Sequence, residues 1–128
     1  MKTEGNIYER GNHILVGIQG EVEAGKYLEK IGYRIINRNV NYKSKGELDI
    51  IAMDGTELVI VEVKTRADCE FGHPIEALTK PKIRRIIACT ETYIASNPVN
   101  YTSIRFDVVC VLGDQVEHIK DAFYGTFS

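Results

Sequence analysis

The run GELDIIAMDGTELVIVEVK, Gly46 to Lys64, restricts the fold more than any other part of this chain. Two apolar stretches rich in Ile and Val flank Asp54 and Gly55, which tolerate the positive φ of a tight turn, so the segment reads as a β-hairpin. Side chains alternate between faces along a strand. Leu58, Ile60, Glu62 and Lys64 therefore share one face of the second strand, and Val59, Val61 and Val63 the other. In the first strand Glu47, Asp49, Ile51 and Met53 share a face, opposite Leu48, Ile50 and Ala52. Both strands are apolar beside the turn and charged at the far end.

The hairpin register decides whether the acids meet. A two-residue turn at Asp54 and Gly55 sets Asp49 opposite Ile60 and diagonal to Glu62. A four-residue loop sets it directly across from Glu62, and a three-residue loop separates the two. In the first two cases the Cβ atoms come within about 5 to 8 Å. Carboxylates gathered beside an apolar row are costly unless a positive charge joins them, and hard oxygen donors suit Mg²⁺ or Mn²⁺. The competing reading makes Glu62 and Lys64 a surface ion pair where the strand leaves the core, with Glu47 facing solvent.

The rest of the chain gives this hairpin a setting. Helical spacing runs from Ile18 to Ile31, with Ile18, Val22, Gly25 and Leu28 on one side and Gly32 as the stop. At about 100° per residue Glu21 falls inside that arc, beside Ala24, Gly25 and Leu28. Tyr33 to Val40 reads as a strand and NYKSKG as a polar connection, so three strands form a meander. After the turn-rich RADCEFGHP, a second helix is expected from Lys80 to Ser96, with Pro81 in its first turn and Ile83, Ile86, Ile87, Thr90 and Ile94 buried. SIRFDVVCVLG and QVEHIKDAF supply two further strands that turn at Gly113 and Asp114. A helix between strands three and four permits a parallel crossover, so the expected fold is α/β, a mixed sheet flanked by helices with strand three central.

The chain has 128 residues, 44% of them hydrophobic, enough for one core. Residues 1–17 read as an arm and 18–128 as a single domain. The start, MKTEGNIYER, lacks the apolar stretch of a signal peptide and no run reaches membrane-span length, so a cytoplasmic protein with no membrane partner is expected. Cys69, Cys89 and Cys110 form no CxxC pair and suggest neither a disulfide framework nor a zinc site; Cys89 and Cys110 read as small core residues. The net charge of -2 is unevenly spread. From Arg34 to Arg105 eleven Lys and Arg face nine Asp and Glu, against five and nine in the remainder, so any basic surface is local.

Gly20, Glu21 and Ala24 as GExxA, the segment GELDIIA, VEVKTR, the Phe71–Gly72 pair, the Lys-rich start of helix two and RFD at Arg105 to Asp107 together resemble the YraN-like family of bacterial proteins. The resemblance spans roughly residues 19 to 112. It implies a restriction-endonuclease-like fold of the PD-(D/E)xK nuclease superfamily, and the order of acidic residues and lysine looks more loosely like archaeal Holliday-junction resolvases. On that likeness Asp49 and Glu62 are metal ligands, the Val63 carbonyl is a further ligand, Lys64 is the catalytic lysine and Glu21 the helix-one acid. A homodimer follows only by analogy with the resolvases.

The resulting expectation is a Mg²⁺- or Mn²⁺-dependent endonuclease acting on DNA phosphodiesters, with branched or single-stranded DNA in recombination or repair as the substrate. Glu47 would support the ligands from behind. Lys80, Lys82, Arg84 and Arg85 crowd the first turns of helix two, where the helix dipole disfavours cations, which points to an anionic target. With Lys43, Lys45, Arg66 and Arg105 they can track phosphates without reading sequence. Two alternatives compete: a non-catalytic DNA-binding or scaffold domain that keeps the fold, and a small-molecule phosphodiesterase, which would not need the basic helix.

Overall fold

The computed structural model describes residues 17–65 and 78–124. Helix α1 covers residues 17–30. Strands β1 (Arg34–Tyr42), β2 (Gly46–Asp54) and β3 (Glu57–Thr65) follow, then helix α2 (Lys80–Ser96), β4 (Ser103–Leu112) and β5 (Gln115–Phe123). The five strands form one sheet in the order β1-β2-β3-β4-β5. Only β3 and β4 run parallel, joined by the crossover that contains α2. The expected mixed sheet with a central third strand is therefore present, compatible with a nuclease-like core.

Each face of the sheet carries one helix because β3 is apolar on both faces. Leu58 and Ile60 pack with Phe106, Val108 and the α2 residues Ile86, Cys89 and Tyr93. On the other face Val59 and Val61 pack with Ile50, Ala52, Val109 and the α1 residues Ala24 and Leu28. Helix α2 begins where expected: Thr79 caps it, its hydroxyl accepting from Lys82 N at 3.3 Å, and Pro81 occupies the first turn. Its buried line is Ile86, Cys89, Thr90 and Tyr93, with Ile83, Ile87 and Ile94 only half-buried beside it. In α1 the expected apolar stripe is corrected. Ile18 and Val22 are exposed, and the buried positions are Gly20, Ala24, Gly25 and Leu28, because close approach to the sheet favours small residues.

Two other expectations change. The hairpin turns at Gly55 and Thr56, one residue later than expected, so Asp54 pairs with Glu57 and Met53 with Leu58. Cys110 is buried as expected but is disulfide-bonded, while Cys89 is a free buried thiol as expected.

The hairpin end of the sheet is tied by a buried polar network around Asp107, which is fully buried. Its carboxylate accepts from Arg105 Nε at 2.9 Å, Tyr33 hydroxyl at 3.1 Å and the Asp121 backbone N–H at 3.0 Å. His118 Nε2, 2.7 Å away, donates to the same group. The Arg105 guanidinium also reaches Tyr33, Asp54 and Glu57. One residue pair thus links four strands, and the Asp121 contact holds a left-handed residue (φ 55°) where β5 slips its register against β4. Burial alone would raise the Asp107 pKa, but the bonds from His118, Arg105 and the Asp121 N–H outweigh it and hold it down at about 2. Asp107 therefore contributes stability above its unfolded pKa of about 3.9 that is lost as the pH falls towards about 2.

Asp107→Asn is expected to cost about 3 kcal/mol at neutral pH, since Arg105 loses its central partner. Denaturant melts between about pH 4 and pH 2 should also show a flatter acid loss in the variant than in the parent. An unchanged acid profile would remove Asp107 from this role.

Candidate metal centre and basic cleft

The β2–β3 pairing runs from Asp54↔Glu57 to Ile50↔Val61 and ends there. Just beyond, Val63 N–H donates to the Asp49 carboxylate at 2.9 Å, so a side chain takes the place of a strand partner. On the other side of β2, Asn39 lies between the pairs Arg38↔Ile50 and Val40↔Leu48 and has a left-handed backbone (φ 50°). Asparagine enters that region more readily than most residues. Side-chain alternation slips here too. Leu48 joins the α2-side core together with Ile51, not the opposite face as simple alternation requires. At Asp49 the pairing with β3 has ended while that with β1 continues.

Helix α1 delivers its acid into the opening. Gly20 lies so close to β3 that a Cβ there would overlap the Thr65 Cγ2 methyl, so glycine permits the approach that carries Glu21 to the strand ends. Glu21, Glu47 and Asp49 each place a carboxylate oxygen within 4.8 Å of the others. The Glu21 pKa is raised by burial, opposed by a hydrogen bond with Asn39 and reinforced by Glu47 and Glu62. Asp49 is pushed up to about 8, first by burial and then by the Glu62 charge, against the lowering effect of the Val63 N–H.

Glu62 completes the constellation from the α2 side. It is buried on β3, and its Oε1 lies 2.9 Å from Lys82 Nζ and 3.7 Å from Lys64 Nζ. Lys64 is itself buried, so the pair is not the surface salt bridge of the competing reading. Glu47, expected behind the ligands, is one of the three grouped carboxylates, whereas Glu62 is turned to the lysines. Val63 is half-buried next to Glu62. The three carboxylates with converging oxygens form a hard donor set, which fits Mg²⁺ or Mn²⁺ and not a soft metal.

A cleft of about 410 Å³ opens on these residues, lined by Glu47, Asp49, Glu62, Lys82, Lys43 and Arg85. Arg85 also borders a neighbouring groove with Lys45 and Arg84, so acidic floor and basic rim are continuous. Lys80 is exposed at the helix start. Lys45 donates to the Thr92 hydroxyl at 2.8 Å, which pins the β1–β2 connection to α2. Arg105 is elsewhere: its side chain is 11% exposed and committed to Asp54, Glu57 and Asp107. Arg66 lies outside the described residues. Two participants escaped sequence reasoning. The backbone of Asn39 carried no signal beyond an Asn within a strand-like run, and the inward turn of Lys82 was hidden among the cations of its helix.

Residues 20–111 match the family model described as uncharacterised protein family UPF0102. The chain belongs to that family, the YraN family. A UPF0102 protein of Phocaeicola vulgatus is 44% identical over 116 residues, covering 88% of this chain and 94% of the relative. One from Bacteroides fragilis is 45% identical with the same coverage, and one from Chlorobium limicola is 40% identical over 119 residues, 85% of this chain and 92% of the relative. The matched region of this UPF0102 chain contains every residue of the cleft. Among its described residues no helix is long and apolar enough to cross a membrane.

The raised Asp49 pKa has a measurable sign. Between an unfolded pKa of about 3.9 and the folded value of about 8, the native state binds the extra proton, so stability falls as the pH rises through that window. In chelator, Asp49→Asn should be at least as stable as the parent at pH 8, and the gap between them should narrow towards pH 5. Thermal melts across that range check it; a gap independent of pH would mean that Asp49 ionises normally.

Proposed function

We propose that this UPF0102 chain is a Mg²⁺- or Mn²⁺-dependent DNA endonuclease of the cytoplasm. The observation that carries the reading is the convergence of Glu21, Glu47 and Asp49 within 4.8 Å, with Glu47 and Asp49 lining a cleft that Lys43, Lys82 and Arg85 also line. Asp49, Glu21 and Glu47 hold the ion, with Glu62 and the Val63 carbonyl as further donors. A divalent ion bound there supplies Lewis-acid polarisation of a phosphate and acidifies a water. Lys64 rises from β3 beside Glu62, and its ammonium orients the attacking water and balances the charge that grows on the phosphate oxygens. The buried flank of the cleft keeps that charge pair out of bulk solvent, where it would be screened. Lys43, Arg84 and Arg85 border the cleft and its neighbouring groove, and with Lys80, exposed at the helix start, they hold the strand by its phosphates.

Cleavage of branched, single-stranded and duplex DNA is expected with Mg²⁺ or Mn²⁺ and not with chelator. Asp49→Asn, Glu62→Gln and Lys64→Ala should each lower it by about 10²-fold or more, because the three act as one unit. A purified variant that cleaves like the parent takes its residue out of the mechanism. DNA binding without cleavage under every metal would establish the non-catalytic alternative.

The rim makes a separate claim. Changing Lys80, Arg84 and Arg85 together to Ala should weaken DNA binding and flatten its salt dependence by roughly 0.9 for each phosphate contact removed. An unaltered salt slope would assign these side chains to an ordinary solvated helix face.

A further inference from the structure

Among the described residues, Glu62 is the one carboxylate lining the cleft that is paired with cations of the protein itself. Two ammonium groups share its Oε1, but they differ in freedom. Lys64 sits on the central strand with a side chain 9% exposed. Lys82 is on the first turn of α2, makes the shorter contact, 2.9 Å, and is 38% exposed. A long, flexible side chain at a helix start can leave its partner at little cost, while a buried strand residue cannot.

The same carboxylate lines the cleft with Asp49, which is itself bonded to the neighbouring Val63 N–H, so an ion held by Asp49 lies within the field of Glu62. A positive ion and the Lys82 ammonium therefore compete for one buried negative charge. We propose that Lys82 is an exchangeable counter-ion: it neutralises Glu62 while the centre is metal-free, and it is released to a substrate phosphate when the ion takes Glu62 over. This rests on the metal-centre reading above. Two consequences follow from linkage. Any group that favours Glu62 in the metal-free state opposes the ion by the same factor. The cation it frees stands at the cleft mouth, so metal and DNA assist each other through Lys82.

The test uses the full chain and Mn²⁺ alone, titrated by calorimetry and by the thermal shift it produces. Lys82→Met keeps the stem and removes the charge; it should bind Mn²⁺ roughly tenfold more tightly than the parent, the factor that corresponds to a charged hydrogen bond of about 1.4 kcal/mol. Its metal-free form should melt lower, and its Mn²⁺-induced rise in Tm should be larger. Lys82→Arg, which retains the charge, should stay within about threefold of the parent. Lys80→Met removes a nearby exposed charge and reports the general field; it should shift Mn²⁺ affinity much less than Lys82→Met. Lys82→Gln serves as a second neutral variant. A Lys82→Met affinity no tighter than that of Lys80→Met overturns the exchange and leaves the metal centre standing. Absence of any Mn²⁺ binding by the parent overturns both. In a final arm, Mn²⁺ should strengthen binding of a DNA with non-hydrolysable linkages more in the parent than in Lys82→Met; equal strengthening also overturns the exchange.

Discussion

The hydrogen bond from Val63 N–H to the Asp49 carboxylate is where the sheet stops being a scaffold and becomes a site. It satisfies a backbone donor at the point where the β2–β3 pairing ends, so the two strands can part without leaving that N–H bare. The parting matters because the two helices lie on opposite faces. Glu21 arrives from the α1 side, while Glu62 meets Lys82 of the α2 side, and a continuous ladder would keep them apart. Asp49 stands between, touching Val63 and coupled to acids on both sides. Asn39 and the glycine at position 20 serve the same opening, one by bonding its side chain to Glu21, the other by letting α1 close in.

A gap in a sheet weakens it, and the opposite end carries the compensation. Arg105 and Asp107 on β4 reach Asp54, Glu57 and His118, so β2, β3 and β5 are fastened at the end remote from the opening, as is Tyr33 immediately before β1. The RFD segment that helps carry the family resemblance is thus scaffold. A buried, fully hydrogen-bonded ionic group specifies one arrangement of strands better than it adds raw stability. That division places rigid polar packing at the turn end and convertible charge at the cleft.

Much of this was legible in the sequence where chain-local rules govern. Helix α2 begins and ends at the expected residues because Thr79, Pro81 and the spacing of apolar residues act locally. Glu62 and Lys64 stood out because charges interrupting a buried strand need partners. The register was left open, and the turn at Gly55 and Thr56 resolves it by pairing Met53 with Leu58, whose continuation sets Asp49 across from Glu62. What remained hidden depends on contacts across the fold. The exposure of Ile18 and Val22 reflects how closely α1 approaches the sheet, and neither the slip at Leu48 nor the disulfide on Cys110 is set by neighbours along the chain. Arg105 shared the same limit, since a cation in a basic region looks alike whether it faces phosphate or a buried carboxylate.

The charge at the start of α2 gains meaning from the same geometry. Its first turn contains no acidic residue, although the helix dipole favours one there and disfavours Lys80 and Lys82. Glu62, contributed by β3, supplies the missing negative charge through its 2.9 Å contact with Lys82. The helix start is balanced as long as Glu62 faces it. A divalent ion that drew on Glu62, as proposed, would leave the dipole and the lysines to present uncompensated positive charge to the cleft. A chain with a net charge of -2 can then still attract a polyanion at one place, because the acids that set its net charge are partly used inside the fold and the cations are gathered on one helix end. Under the proposed nuclease reading, attraction for DNA would be conditional on the same ion that the proposed hydrolysis needs, which would limit unproductive binding in its absence.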